Sequence, residues 1–472
     1  MNNKKEKEQP DRSGFASRPR DEGKPWVFPH KRSAKVYVGL SGGVDSSVSA
    51  ALLKQQGYDV TGVYMKNWSR DLPGMKCPWA EDLADAKRVA VRLGIDFKVF
   101  DFEKEYKHKV VDYMIKEYEA GRTPNPDVMC NQEVKFKLFL DTALENGADF
   151  IATGHYAQVG VGHCCDDAFS ASLVRSKRSE PSSIPMVTTG DPTTWSAPLA
   201  LHASKMNQEK IIARAPKLAR AARVARLGGP PQKESHVTAD FFVGEDGETG
   251  PGRHKDEQIV SLLRAVDENK DQTYFLYRVT REALAKTLFP IGHLTKPQVR
   301  ELAKKFNLPT AAKKDSQGIC FVGSVGIRDF LSEFVKTCPG EIIEKETGKV
   351  LGLHDGAIFY TFGQRHGLDV GGGLPYYVVG KDMAKNEVYV STDLNNDGFW
   401  KKDAELTDLH WINNAPAANK TYKVRVRHRA PLIDATLNNN VVTFTTPERA
   451  VASGQSVVFY AGEICLGGGI VA

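Results

Sequence analysis

The chain has 472 residues, 41% hydrophobic and 26% charged, which excludes a wholly disordered, collagen-like or coiled-coil protein and, at about 150 residues per domain, predicts two to four domains. Lys and Arg total 64 against 58 Asp and Glu, a formal charge of +6 that permits a polyanionic partner without requiring one. No apolar stretch reaches the roughly 18 residues of a membrane-spanning helix, and seven cysteines without a regular framework predict free thiols, so a cytoplasmic protein with no membrane partner is expected.

Residues 1–34 are polar and mix both charge signs. Glu6, Glu8, Asp11, Asp21 and Glu22 count against an acid-poor transit peptide, and the segment reads as a disordered tail. Order begins at Lys35 with a β-branched strand, KVYVGL, which stops at SGGVDSS and passes into the helical pattern SVSAALLKQQGY. DVTGVYMKNW reads as the next strand, DLADAKRVAVRLGI as an amphipathic helix closed by Gly94, and DFKVFDF as a third strand. The helix VKFKLFLDTALENG and the strand ADFIATGHYAQV continue the alternation. This predicts an α/β fold with a doubly wound parallel sheet over residues 35–265 and ligands at the carboxyl ends of its strands.

Within that domain, residues 161–260 change texture to Ser/Thr/Pro and Gly/Pro-rich stretches and read as a flexible insertion. Arg214, Lys217, Arg220, Arg223 and Arg226 recur every three residues inside it, either as a solvated charged insert or as an RNA-contacting arm. Residues 266–345 read as a small helical central domain built on QTYFLYRVTREALAKTLFP and LTKPQVRELAKKFNLPT, with Thr295 as N-cap and Pro297 in the first turn. From 346 to 472 short strands between Gly and Asn turns predict an antiparallel β-barrel. In Tyr422–Arg429 the period of two sends Val424 and Val426 inward and places Lys423, Arg425, Arg427 and Arg429 on one face, suited to phosphates or to solvent.

Three features carry chemistry. Ser41 to Ser47, between a strand and a helix, forms a phosphate cradle of glycines, hydroxyls and helix N-terminal N–H groups. It lacks the Gly-Lys-Ser/Thr ending of a Walker A loop and resembles the SGGxDS pyrophosphate loop of enzymes that cleave ATP to AMP while adenylating a carbonyl oxygen. Cys130 ends the proline-stiffened Thr123–Asn131 stretch near a helix N-terminus, where the dipole favours a thiolate. Cys320 follows Lys313 and Lys314, cations that would likewise stabilise a thiolate. Cys77, Cys164, Cys165, Cys338 and Cys465 have no such surroundings, and His366 and His410 no partner pattern; without a CxxC pair, neither zinc nor an iron–sulfur cluster is expected.

Taken together, GLSGGVDSS, MKNW, AGRTPNPDVMCN, GADFIATGHY, ENKDQTYFLY, KKDSQGICFVG, TFGQRHGL and CLGGG resemble the tRNA-specific 2-thiouridylases, a PP-loop family with an adenine nucleotide alpha hydrolase-like catalytic domain. The likeness spans nearly everything except the tail and the insertion. It implies ATP contacts from Gly39, Leu40, Ser41, Gly42, Gly43, Val44, Asp45 and Ser46, with Met65 and Gly154 beside the nucleotide and Mg²⁺ accompanying it. Asn125, Pro126 and Asp127 would meet the target uridine, with Asp127 a proton-transfer group. Cys130 would be the nucleophile and Cys320 the persulfide carrier, the two forming a transient disulfide. His155, Lys270, Asp271, Gln272, Gln364, Arg427 and His428 would contact the anticodon arm of tRNA, and a sulfur-relay persulfide donor and a reductant would complete the cycle.

The expected activity is therefore 2-thiolation of the wobble uridine in tRNAs of the Lys, Glu and Gln type. The two cysteines are 190 positions apart, and direct bonding needs their α-carbons within about 7 Å. Two rival readings stand beside it: another AMP-forming ligase of the argininosuccinate, NAD or GMP synthetase kind, which leaves the cysteines without a task, and a tRNA-binding protein disabled by the insertion.

Overall fold

The computed structural model describes residues 33–71, 77–163, 258–314, 327–371, 373–393, 395 and 399–472. The tail to residue 32, the interior of the insertion (164–257) and the stretch 315–326 with Cys320 lie outside the described residues.

Five parallel strands form the first sheet: β1 (Lys35–Gly39), β2 (Asp59–Lys66), β3 (Asp96–Asp101), β4 (Phe150–Ala152) and, after an antiparallel hairpin of β5 (Gln158–His163) and β6 (Gln258–Leu263), β7 (Thr287–Leu288). Their order is β3-β2-β1-β4-β7, so the winding reverses between β1 and β4, where open α/β sheets bind ligands. Alternation along β1 drives the layering. Val36 and Val38 join Ala50 and Leu53 of helix α1 (Val44–Gln55) and Ala86 and Val89 of helix α2 (Trp79–Leu93) on one face. Tyr37 turns to the other face, with Val110, Met114 and Phe139.

The middle of the chain departs from the sequence reading. Its helices are short (Thr273–Leu276, Arg281–Ala285, Lys296–Lys305), and β7 lies between them as the edge of the parallel sheet, so residues 266–314 continue the first domain. A separate four-stranded sheet follows, with β8 (Gly340–Glu344), β9 (Val350–His354), β10 (Tyr377–Asp382) and β11 (Glu387–Ser391) in the order β10-β11-β8-β9. It is a β module of its own around Ile342, Val378, Val388 and Val390, and neither helical nor part of the barrel.

The barrel occupies the C-terminus: β12 (Trp400–Trp411), β13 (Thr421–Arg425), β14 (Ile433–Asn438), β15 (Val441–Arg449), β16 (Ser456–Ala461) and β17 (Ile464–Val471). Its six strands close through β12 against β17, which removes both edges. The first residues of β17 pair with β6 (Ile464 opposite Leu263, Cys465 opposite Leu262), so the hairpin at the root of the insertion extends the barrel wall. The sequence stretch 150–161 is accordingly two strands in two sheets. Across that hairpin His163 faces Gln258, which makes the two ends of the insertion cross-strand neighbours. No helix among the described residues is long and apolar enough to cross a membrane.

Candidate active site

The phosphate-type loop sits at the carboxyl end of β1, beside the winding reversal. Gly42 adopts φ +74°, and a side-chain carbon there would lie 2.5 Å from the Asp82 carbonyl oxygen, so both conformation and space demand glycine. The Ser41 N–H donates to the Ser46 Oγ at 3.2 Å, and the Ser47 hydroxyl donates to the Gly43 carbonyl at 2.7 Å. These bonds fold the loop over the start of α1, leaving first-turn N–H groups of that 12-residue helix toward the cleft. Gly154, just past β4, closes the other wall: a side-chain carbon would meet the Ser46 nitrogen at 2.6 Å. The Met65 methyl lies beside Gly39, so predicted nucleotide residues on β1, β2 and the β4 turn converge.

Residues without a sequence signal brace this loop. Asp45 accepts from the Lys296 ammonium at 2.7 Å and from the Tyr156 hydroxyl at 3.0 Å. Thr310 donates to the Ser47 hydroxyl at 3.0 Å. Lys313 bridges Asp82 (2.7 Å) and Asp85 (2.6 Å) of α2, and these carboxylates hold its ammonium above the usual lysine range despite the opposing cost of burial. Lys313 is thus paired with α2, while Cys320, whose thiolate it is expected to stabilise, lies outside the described residues. Beyond residue 326, Phe330 packs tilted against Trp68 with ring centroids 5.7 Å apart, so the described flanks of the Cys320 stretch both rest on elements next to the cleft.

The second loop begins at Gly121 and enters a helical run, Pro126–Met129, a π-helical Cys130–Leu138 and Phe139–Glu145. The Asn125 side chain caps it, accepting from the Val128 N–H at 3.3 Å, with Pro126 at the first helical position. Cys130 lies in the first turns and is 1% exposed, within an apolar cluster that includes Val128, Val134 and Phe330. Farther along, Phe136 packs tilted against His155 (5.6 Å) and Phe139 reaches Gly39, so this helix abuts the ends of β1 and β4. Asp127 and Asn125 are half-buried. Asn131 donates to the Phe275 carbonyl at 3.1 Å, and Phe275 stacks on His428 at 4.4 Å.

The predicted tRNA-contact residues divide by exposure. Lys270, Gln272, Gln364 and His428 are half-buried and Arg427 is exposed. Asp271 and His155, by contrast, are buried. Asp271 accepts from Arg425 (2.8 Å), from the Ala265 N–H (3.3 Å) and from the Thr273 hydroxyl (2.9 Å). His155 bonds the Thr153 hydroxyl at 2.8 Å and burial drives its imidazole well below the usual histidine range, so it is neutral. The four-cation face of Tyr422–Arg429 is corrected. β13 ends at Arg425, whose guanidinium is buried against Asp271, while Lys423 pairs with Asp434 (2.9 Å) and Arg427 approaches Glu448 (3.5 Å). Burial raises the Cys77 and Cys465 thiols, in keeping with inert core cysteines.

Family models match all three structured parts: one described as tRNA methyl transferase HUP domain over residues 34–180 and 247–324, one as tRNA methyl transferase PRC-barrel domain over 328–392, and one as aminomethyltransferase beta-barrel domain over 401–471. The unmatched gap falls inside the insertion. The tRNA-specific 2-thiouridylase MnmA 2 of Geobacillus kaustophilus is 38% identical over 450 residues, covering 94% of this chain and 95% of the relative. The tRNA-specific 2-thiouridylase MnmA of Oceanobacillus iheyensis is 39% identical over 449 residues, covering 94% and 96%. With 38–39% identity to these relatives over nearly its whole length and three family models matched in order along it, the chain belongs to the MnmA family of tRNA-specific 2-thiouridylases.

Proposed function

We propose that the protein is an ATP-dependent sulfurtransferase that converts the wobble uridine of tRNAs of the Lys, Glu and Gln type to 2-thiouridine. The observation that carries this reading is a phosphate-cradling loop at the carboxyl end of β1 together with a cysteine-bearing proline loop whose helical run, from Cys130 on, reaches Gly39 of β1 through Phe139. Uridine C2 bears a poor leaving oxygen. With ATP held by Gly39 to Ser46, that oxygen attacks the α-phosphorus, pyrophosphate departs, and AMP becomes the leaving group. Mg²⁺ would neutralise the phosphates, and Asp45 with the Ser46 and Ser47 hydroxyls supplies oxygen donors of the kind that ion takes.

A base must leave its stack for such chemistry, and Asn125, Pro126 and Asp127 would wall the pocket that receives it, Asp127 moving a proton. A persulfide on Cys320, loaded by a sulfur-relay protein, delivers the sulfur. Either its outer sulfur displaces AMP from C2 and Cys130 then attacks the remaining Cys320 linkage, or Cys130 first frees hydrosulfide that displaces AMP. Both routes end in a Cys130–Cys320 disulfide that a dithiol reductant reopens. Lys270, Gln272, Gln364, Arg427 and His428, at or near the surface, would grip the tRNA.

The test incubates the protein with ATP, Mg²⁺, a persulfide sulfur donor, a dithiol reductant and unmodified tRNA, then digests the RNA and weighs its nucleosides. Wild type should yield 2-thiouridine. Cys130→Ser and Cys320→Ser should yield none with the physiological persulfide donor while still binding ATP. A wild type that binds tRNA but makes no product would favour the binding-only reading. Against that reading stands the geometry of the insertion: its ends are paired strand neighbours, the arrangement of a loop excursion whose closure entropy grows only slowly with length.

A further inference from the structure

The barrel's loop between β15 and β16, Ala450 to Gln455, is not a surface turn: Ala450, Val451, Ala452 and Gly454 are all buried, although loops of this kind ordinarily face solvent. It is inserted against Thr123, the residue that opens the Thr-Pro-Asn-Pro stretch before Cys130. The Thr123 N–H donates to the Ser453 carbonyl at 2.9 Å, and the Gln455 side-chain amide donates to the Thr123 carbonyl at 2.7 Å. Gly454, at φ +87°, lets the two backbones touch: a side-chain carbon there would sit 2.8 Å from the Thr123 nitrogen and 2.9 Å from its carbonyl oxygen. The Thr123 hydroxyl also reaches the Thr361 hydroxyl (3.4 Å) of the middle module, and Gly363 of that module abuts Ala450. Both backbone hydrogen-bonding groups and the side chain of Thr123 are thus engaged by segments more than two hundred positions away.

Such a clamp is transmitted because the chain beyond it is stiff. Pro124 and Pro126 fix their own φ and restrict Thr123 and Asn125 before them, so few soft torsions separate the clamped residue from Asn125, Asp127 and Cys130. We propose that the loop Ser453–Gln455 is a positioning element for the thiolation reaction, setting the height of the uridine-binding loop so that Cys130 and the target base meet. The inference rests on the function proposed above. It assigns these residues no contact with substrate, and makes barrel docking a condition for chemistry as well as for RNA affinity.

The experiment compares wild type, Gly454→Ala and the isosteric Gln455→Glu, which replaces the donor to the Thr123 carbonyl by an acceptor. Melting temperature, ATP binding, kcat and KM for tRNA, and amide hydrogen exchange over 121–130 are measured on each. Expected are a kcat at least tenfold lower, a KM for tRNA within twofold of wild type, unchanged ATP binding, and faster exchange at Thr123. For Gln455→Glu the melting temperature should stay close to wild type, so that a misfolded Gly454→Ala leaves the proposal decidable. A raised KM with kcat intact would make the loop an RNA contact and overturn the proposal, as would unchanged kinetics with faster exchange. If wild type itself makes no 2-thiouridine, the functional reading fails, and unaltered exchange in both variants would then dispose of the clamp on its own.

Discussion

The two loops at the sheet edge are built in opposite ways. The phosphate-type loop is largely local: Ser41, Gly43, Ser46 and Ser47 bond one another within six positions, while its outer bracing by Tyr156, Lys296 and Thr310 comes from afar. The cysteine loop is tied locally at Arg122, which pairs with Glu117, and makes its own helix cap at Asn125, but from Thr123 on it is also held by distant parts of the chain, Ser453 and Gln455 at Thr123, Tyr274 at Asn125 and Phe275 at Asn131. A local loop tolerates damage elsewhere; an assembled one fails with any of its supports. The lesson is that ATP binding and uridine chemistry should be separable by mutation in this molecule.

The largest effect that would sharpen this contrast is expected at Asp271→Ala. It strands the buried guanidiniums of Arg425, which lies over the Tyr460 ring, and of Arg264. Breaking one half of a buried ion pair typically costs about 3–5 kcal/mol. The melting temperature should fall steeply, and thiolation measured well below it should fall too, while ATP affinity of the folded fraction persists. Equal loss of ATP binding would break the comparison. Gly42→Ala is the converse. Steric conflict with Asp82 and an unfavourable φ should cost about 1–3 kcal/mol locally and weaken ATP binding tenfold or more, with tRNA affinity retained. Isothermal titration with each ligand separates the outcomes.

Acid should act on the assembled side first. Burial pushes the His428 imidazole down to about 4, and His155 is likewise held well below its usual value, so the fold keeps both neutral. The unfolded chain, with histidines near 6.5, therefore binds more protons between about pH 6.5 and 4, and stability falls as pH drops through that window. His428→Gln should remove about 1–2 kcal/mol of this acid sensitivity, seen as a flatter plot of urea midpoint against pH. An unaltered slope would assign the acid response to other groups.

What the sequence makes legible follows the same divide. The heptapeptide Ser41–Ser47 announces its own geometry because its bonds are made within itself, and the β-branched runs at 35 and 59 announce a parallel sheet because both faces must be apolar. Lys296 and Gln455 carry no signal: each acts on a residue 251 or 332 positions away, and neither spacing nor periodicity encodes such a meeting. Arg425 misled for a related reason. A strand period of two places it with Lys423 on a solvent face, but the strand ends there and Asp271 draws its guanidinium inside. Thr287–Leu288 is too short to display any period, so a strand of the parallel sheet was hidden in a helical stretch.

The smallest expected effect tests what remains of the basic strand. Lys423 and Arg427 sit on the barrel surface in partly exposed pairs with Asp434 and Glu448, the kind that contributes at most about 1 kcal/mol. Lys423→Ala with Arg427→Ala should leave the melting temperature within about 2 °C. If these cations also meet RNA phosphates, the slope of log affinity for tRNA against log salt should become shallower by about one for each charge removed. ATP binding should not change, because the nucleotide loop shares no contact with this strand. A salt slope identical to wild type would confine the barrel's part in the reaction to support of the cysteine loop, which requires Ser453, Gly454 and Gln455 but no surface charge.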